Sequence, residues 1–214
     1  MLKRFSDSEA LPRLRAEAEE NLRRRGGPSA ILITTGPDWA RGKTLAELAR
    51  DKGNDPVSAA IALLKEEEVS IASFNQSEDD IARFMKRDWV VTSSDASAGH
   101  PRYYASFARK YATYVREKKV IDLRTFIASS TLRTARMFGL EGRGELKAGA
   151  FADVIVFDPA RFAPRADYTR PTLFSTGMRT VLVNGRIAID GGEPTGEAAG
   201  RPLPRMAKAG TCPP

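Results

Sequence analysis

A change of hydrophobic period near residue 140 divides the chain. Before it, short apolar, β-branched runs alternate with stretches whose apolar residues recur at three and four positions. Ala30-Ile31-Leu32-Ile33-Thr34-Thr35, residues 69–74 and Trp89-Val90-Val91-Thr92 read as strands. Residues 6–25 read as a helix capped by Ser6 or Asp7, with Leu11, Leu14, Ala18 and Leu22 on one face; Gly26-Gly27-Pro28 stops it. A second helix covers 44–52, with Leu45 and Leu48 inward. Asp55-Pro56 opens a third, with aspartate as N-cap and proline at the first helical position. Ser77 caps another, whose Asp79 and Asp80 suit its positive end. Tyr111, Tyr114 and Val115 line one side of a helix over 107–118. Asp122 caps a last one, burying Leu123, Phe126, Ile127, Ala135, Phe138 and Leu140. Strand and helix in alternation predict βα units and a parallel sheet.

After residue 140 no helical period survives. Glycines punctuate short apolar runs at 153–157 and 180–184. The second ends in Asn184-Gly185, a dipeptide suited to the left-handed backbone of a tight hairpin, and the chain resumes with Ile187-Ala188-Ile189-Asp190. The expected organisation is βα units over 1–140, a small β module over 141–200 and an irregular Pro-rich tail over 201–214.

Composition narrows the function. The net charge is +7, but Arg13, Arg15, Arg23, Arg24 and Arg25 lie among Glu17, Glu19 and Glu20, and Lys65 precedes three glutamates. Basic residues scattered in this way read as solvated helix faces, so no nucleic-acid partner is expected. No apolar run approaches the roughly 20 residues a membrane helix needs, and the first residues lack the apolar core of a signal peptide. A cytoplasmic protein without a membrane partner is expected. The single cysteine, Cys212, rules out a disulfide framework. His100 is the only histidine, so these residues cannot build a histidine-rich or Cys/His zinc site by themselves.

Four residues stand out chemically. Asp95 directly follows the expected strand at 89–92, where it is either a proton-transferring carboxylate or a turn cap after Ser93-Ser94. Arg102 is either a bidentate binder of a carboxylate or a surface residue. His100 could ligate, relay a proton or pack. Tyr103, with Tyr104, either lines a pocket or joins the core. Asp153 and Asp158 flank a strand and read as turn residues.

Three stretches carry a family resemblance. Residues 144–158, Gly-Glu-Leu-Lys-Ala-Gly-Ala-Phe-Ala-Asp-Val-Ile-Val-Phe-Asp, resemble the run that follows the barrel of amidohydrolases. Val181-Leu182-Val183-Asn184-Gly185-Arg186 resembles the closing strand of their small β-domain. Ser93-Ser94-Asp95, His100-Pro101-Arg102-Tyr103-Tyr104, Phe107-Ala108-Arg109 and Tyr114-Val115-Arg116-Glu117 are similar to the corresponding stretch of N-acyl-D-amino-acid deacylases, the D-aminoacylases. Ala96 departs from the pattern, since the family has glycine there.

The resemblance implies an α/β fold: the C-terminal part of a metal-dependent (β/α)8 barrel followed by strands of a small β-sandwich domain. The first half of the enzyme, with its His-x-His pair, would lie elsewhere. It also implies hydrolysis of the amide bond of N-acyl-D-amino acids, with zinc as cofactor in the complete enzyme. Asp95 would act as general acid/base on the metal-bound water and is also a candidate metal ligand; no other residue is assigned to metal. Arg102, Tyr103 and His100 would bind substrate. The chain alone is expected to be inactive. Its partners would be the small-molecule substrate and either a complementary N-terminal half or further copies. The alternative is a non-catalytic product or subunit that complements a separate metal-binding half.

Overall fold

The computed structural model describes residues 2–95, 97 and 99–203; Ala96 and most of the expected tail, including Cys212, lie outside these. The fold is mixed α/β and divides into two compact units.

The first unit takes Met1–Ser77, Ala96–Pro101 and Asp167–Thr172. A 3-10 turn at Leu2–Ser6 precedes helix α1, Leu11–Arg24. Asp7 caps this junction one turn earlier than the helix proper: its Oδ1 accepts from the Glu9 and Ala10 N–H groups at 2.9 and 3.2 Å. The arginines of α1 pair along its exposed surface, Arg13 with Glu17 and both Arg23 and Arg24 with Glu20, as a solvated face does. Strand β1 is Ile31–Thr35, α2 is Leu45–Asp51, α3 is Pro56–Glu66 and β2 is Ser70–Ser73. Thr44 and Glu47 close a reciprocal capping box on α2, and Asp55 caps α3 through the Ser58 N–H at 3.0 Å. The core is Ile31, Leu45, Ala49 and Ala59 on one side, and Ile33, Ala40, Leu48 and Leu63 on the other.

The sheet departs from expectation. β1 and β2 pair antiparallel, not parallel. A parallel crossover uses one helix to return the chain to its starting end. Here two helices, α2 and α3, lie between the strands, and the second reversal brings β2 in from the opposite direction.

The second unit takes Glu78–Asp95, Arg102–Ala166 and Leu173–Pro214. It holds α4, Glu78–Met85, and α5, Arg102–Arg109. α5 runs on into a π-helical stretch, Lys110–Glu117. α6, Leu123–Ser130, is capped by the Asp122 side chain on the Thr125 N–H at 2.7 Å. Thr131 leaves helical geometry (φ −134°, ψ −93°), which splits the expected long helix before α7, Leu132–Phe138. Strands β3, Val154–Phe157, β4, Met178–Val183, β5, Arg186–Asp190, and β6, Glu193–Pro194, form an antiparallel four-stranded meander. Asn184 (φ +50°) and Gly185 (φ +81°) make the left-handed β4–β5 turn. The core draws on both sides of residue 140: Ala108, Tyr111, Ile121 and Phe126 meet Phe162, with Phe157 and Met178 packed against them.

The segment 89–92 is not a strand. A strand needs a neighbour to take its N–H and C=O groups, and among the described residues none lies alongside. Trp89 stands 64% exposed, and the Thr92 N–H donates to the Ser129 carbonyl at 3.1 Å. No helix among the described residues is long and apolar enough to cross a membrane.

Candidate active site

Asp95, Arg102 and Tyr103 belong to the second unit, and His100 to the first. The irregular segment from Trp89 to Asp95 is fastened at two points. Asp88 pairs with Arg133 of α7 at 2.9 Å. Thr92 bonds to the end of α6 through its N–H to the Ser129 carbonyl and its hydroxyl to Ser130 Oγ, at 3.2 Å. Three residues on, Asp95 sits at φ +44°, a left-handed conformation that is uncommon outside glycine, although aspartate tolerates it better than most residues. This backbone aims the carboxylate at the first turn of α5, where Asp95 Oδ2 meets Arg102 Nη1 at 3.0 Å. The Asp95 side chain is 83% exposed and that of Arg102 34%. An accessible carboxylate oriented by a guanidinium can take and return a proton, and the same guanidinium can engage an incoming carboxylate.

Tyr103 is 62% exposed, its ring 5.2 Å from that of Tyr104, so it lines a surface and is not in the core. Tyr104 packs edge-on against Phe174, and Ser175 Oγ donates to its carbonyl at 2.9 Å. His100 is held within the first unit. Its Nε2 lies 3.3 Å from the Tyr168 hydroxyl, and Tyr168 in turn meets Phe74 edge-on at 5.3 Å. Gly99 before it sits at φ +70°; a Cβ there would lie 2.7 Å from the Thr34 carbonyl, so only glycine lets this turn reach β1.

Among the described residues no three His, Cys, Asp or Glu gather closely enough to hold a metal ion. With Asp95 turned to Arg102 and His100 to Tyr168, the residues present do not fit a zinc centre.

Sequence reasoning missed Lys110. It is 9% exposed, and its ammonium donates to Thr92 Oγ1 at 2.6 Å and Ser129 Oγ at 2.8 Å. Burial, with the Arg133 charge adding to it, pushes this lysine down from 10.5 to about 8. The signal was present: Lys110 falls three residues after Phe107 and four before Tyr114, on the apolar side of that helix. A second cluster joins the family-like stretches. Arg143 Nη1 pairs with Asp153, Arg143 Nη2 donates to Asn184 Oδ1 at 2.6 Å, and the Asn184 N–H donates to Asp153 Oδ1 at 2.8 Å. Asp153 is thus a turn residue, as expected.

Residues 8–189 match the amidohydrolase family, and the chain belongs to that family. Within it, the chain is 37% identical over 176 residues to an N-acyl-D-glutamate deacylase of Alcaligenes xylosoxydans xylosoxydans, covering 80% of this chain and 35% of that protein. It is 34% identical over 170 residues to a D-aminoacylase of the same organism, covering 78% and 34%. The crystal structure of the Bordetella bronchiseptica N-acyl-D-glutamate deacylase, complexed with zinc and a phosphonate inhibitor, superposes with a TM-score of 0.70 at 35% identity. That match covers 81% of this chain and 38% of the other. A D-aminoacylase structure gives a TM-score of 0.75 at 30% identity, covering 86% and 40%. The chain therefore spans about a third of the length of the curated relatives it matches.

Proposed function

We propose that this chain is the C-terminal part of an N-acyl-D-amino-acid deacylase, and that it carries the proton-transferring carboxylate and a substrate-carboxylate binder of that enzyme. The observation that supports this reading is the Asp95–Arg102 pair, lying inside the matched residues 8–189. In the whole enzyme, residues 1–140 supply βα units of the barrel, and 141–200 supplies strands of the small β-sandwich domain. The zinc that the resemblance implies is assigned to the remainder of the enzyme; within this chain the chemistry is that of Asp95 and Arg102.

Amide hydrolysis requires that a water lose a proton as it attacks the carbonyl and that the departing amine gain one. Asp95 takes the first and delivers the second. Arg102 first orients Asp95 and then receives the carboxylate of the N-acyl amino acid, whose planar, two-oxygen geometry matches its fork. Tyr103, exposed on the same turn of α5, flanks the substrate; His100 is the further substrate-binding residue that the resemblance implies. A second reading is a non-catalytic chain that complements a separate metal-binding one. It is favoured by the lack of three gathered donors among the described residues.

The test is Asp95→Asn in the active assembly of this chain with its remaining half. The amide keeps the size of the side chain but cannot act as a base. The expected fall in kcat is about 10²–10⁴-fold, with the melting temperature unchanged. Unchanged kcat with a melting temperature several degrees lower identifies Asp95 as a structural cap and overturns the assignment.

A further inference from the structure

Lys110 is a buried amine that the reaction above does not use. Residues from every neighbouring element define its surroundings. Thr92 and Ser129 accept from it, the Phe126 ring lies 6.0 Å away, and Arg133 of α7 adds a charge of the same sign. Arg133 itself is committed to Asp88 at 2.9 Å. Burying an ammonium among hydroxyls and an aromatic ring is unfavourable compared with a methionine or leucine of the same reach. Its hydrogen bonds are what a hydrocarbon could not supply. Both go to groups that locate the 89–95 segment: Thr92 itself, and Ser129, whose carbonyl takes the Thr92 N–H. The segment has no ladder of its own, so this polar knot substitutes for strand pairing three residues before Asp95.

We propose that Lys110 is a positioning residue for Asp95: by clamping the Thr92 hydroxyl against the end of α6 it sets where the Asp95 carboxylate stands opposite Arg102. The proposal rests on the deacylase reading for its catalytic consequence, but its structural part stands apart from it. Lys110 opens the π-helical stretch, a rare geometry that recurs at functional positions.

The experiment pairs two readouts across Lys110→Met, Thr92→Val and Thr92→Ser. The first is hydrogen–deuterium exchange in the 214-residue chain. Lys110→Met and Thr92→Val should raise exchange over residues 89–95 by about tenfold, leaving β1 and β3 as in the wild type. Thr92→Ser keeps the acceptor and should restore protection. The second readout is steady-state kinetics in the active assembly. There Lys110→Met and Thr92→Val should lower kcat by about tenfold or more with KM within about twofold, since displacement of a catalytic group by an ångström acts on the reaction step. If Lys110→Met fails to fold, the Thr92 pair decides. Unchanged exchange over 89–95, an equal rise throughout the chain, or a local rise with unchanged kcat each overturns the proposal. Asp95→Asn measured beside them separates the two claims: wild-type kcat in that variant defeats the catalytic assignment of Asp95, whatever the exchange shows.

Discussion

Arg102 shows how one side chain can serve two states of a site. Its Nη1 sits 3.0 Å from Asp95, yet a guanidinium has five donors in a planar fork and can turn some of them to a substrate carboxylate. A lysine keeps the charge and loses the fork. Arg102→Lys in the active assembly should therefore raise KM more than it lowers kcat, if the fork binds the ground-state carboxylate. Equal falls in kcat and kcat/KM would instead assign the arginine to Asp95 alone. Lys110 gives a pH prediction on the same scale. Its folded value, about 8, lies below the 10.5 of a solvated lysine. Between the two, the unfolded chain binds a proton that the folded chain does not, so stability rises as pH increases across that window. The penalty for burying the charge is at its full extent below about 8 and is relieved as pH approaches 10.5. Lys110→Met removes this titration. Denaturant unfolding at pH 7.5 and pH 10 should show the wild type gaining on the variant by on the order of 2 kcal/mol. Parallel changes in both proteins would mean that Lys110 is solvated.

At the scale of elements, capping chemistry accounts for where the helices start. Thr44, Asp55 and Asp122 each accept a backbone N–H three residues on; the two aspartates were readable from sequence as caps, whereas Thr44 was read only as the first residue of its helix. The meander depends on a different device. Asp153, at the start of β3, holds the β4–β5 turn through the Asn184 N–H and is paired with Arg143, whose side chain is only 11% exposed. Burial opposes ionisation of Asp153, but the Asn184 N–H and the Arg143 charge outweigh it, and its pKa falls below the usual carboxylate value. The stability it contributes is present above that value and is lost as pH falls through the lower, folded one. Asp153→Ala leaves Arg143 without its carboxylate partner. The expected loss is roughly 2 kcal/mol, or a melting temperature lower by about 4–8 °C, read by calorimetry at neutral pH. A change below one degree would show that the turn is held by Asn184 and Gly185 alone.

For the whole molecule, apolar surface and donor count decide behaviour. Phe84 and Trp89 pack edge-on at 6.1 Å yet stand 55% and 64% exposed, and Leu146 is 84% exposed. Exposed aromatic and aliphatic groups of this size attract partners or copies. The 214-residue chain should bind a hydrophobic probe dye and self-associate in sedimentation, and addition of the complementary half should suppress both. A dye-silent, monodisperse monomer would contradict this. The described residues gather no three metal donors, so the purified chain should retain no stoichiometric zinc and show no turnover of N-acetyl-D-amino acids. Metal analysis and an amine-release assay check both.

The linear sequence determined those features whose physics is local. Caps, the Asn184-Gly185 turn, the amphipathic faces and the family-bearing stretches depend on neighbours a few residues away, and spacing alone exposes them. Tertiary structure decided whatever depends on partners far along the chain. Residues 89–92 have the composition of a strand, but a ladder needs a second strand; without one the segment turned to Ser129, Ser130 and Lys110. β1 and β2 look alike in sequence whichever way they run, and the second helix between them set the antiparallel direction. Asp95 and Arg102 were legible one by one, whereas their 3.0 Å approach required the left-handed backbone at Asp95 and the start of α5 at Arg102, five residues before the expected start at 107. Lys110 sat in view on an apolar face, and only packing revealed it as a buried amine, because burial is a property of what surrounds a residue and not of its place in the chain.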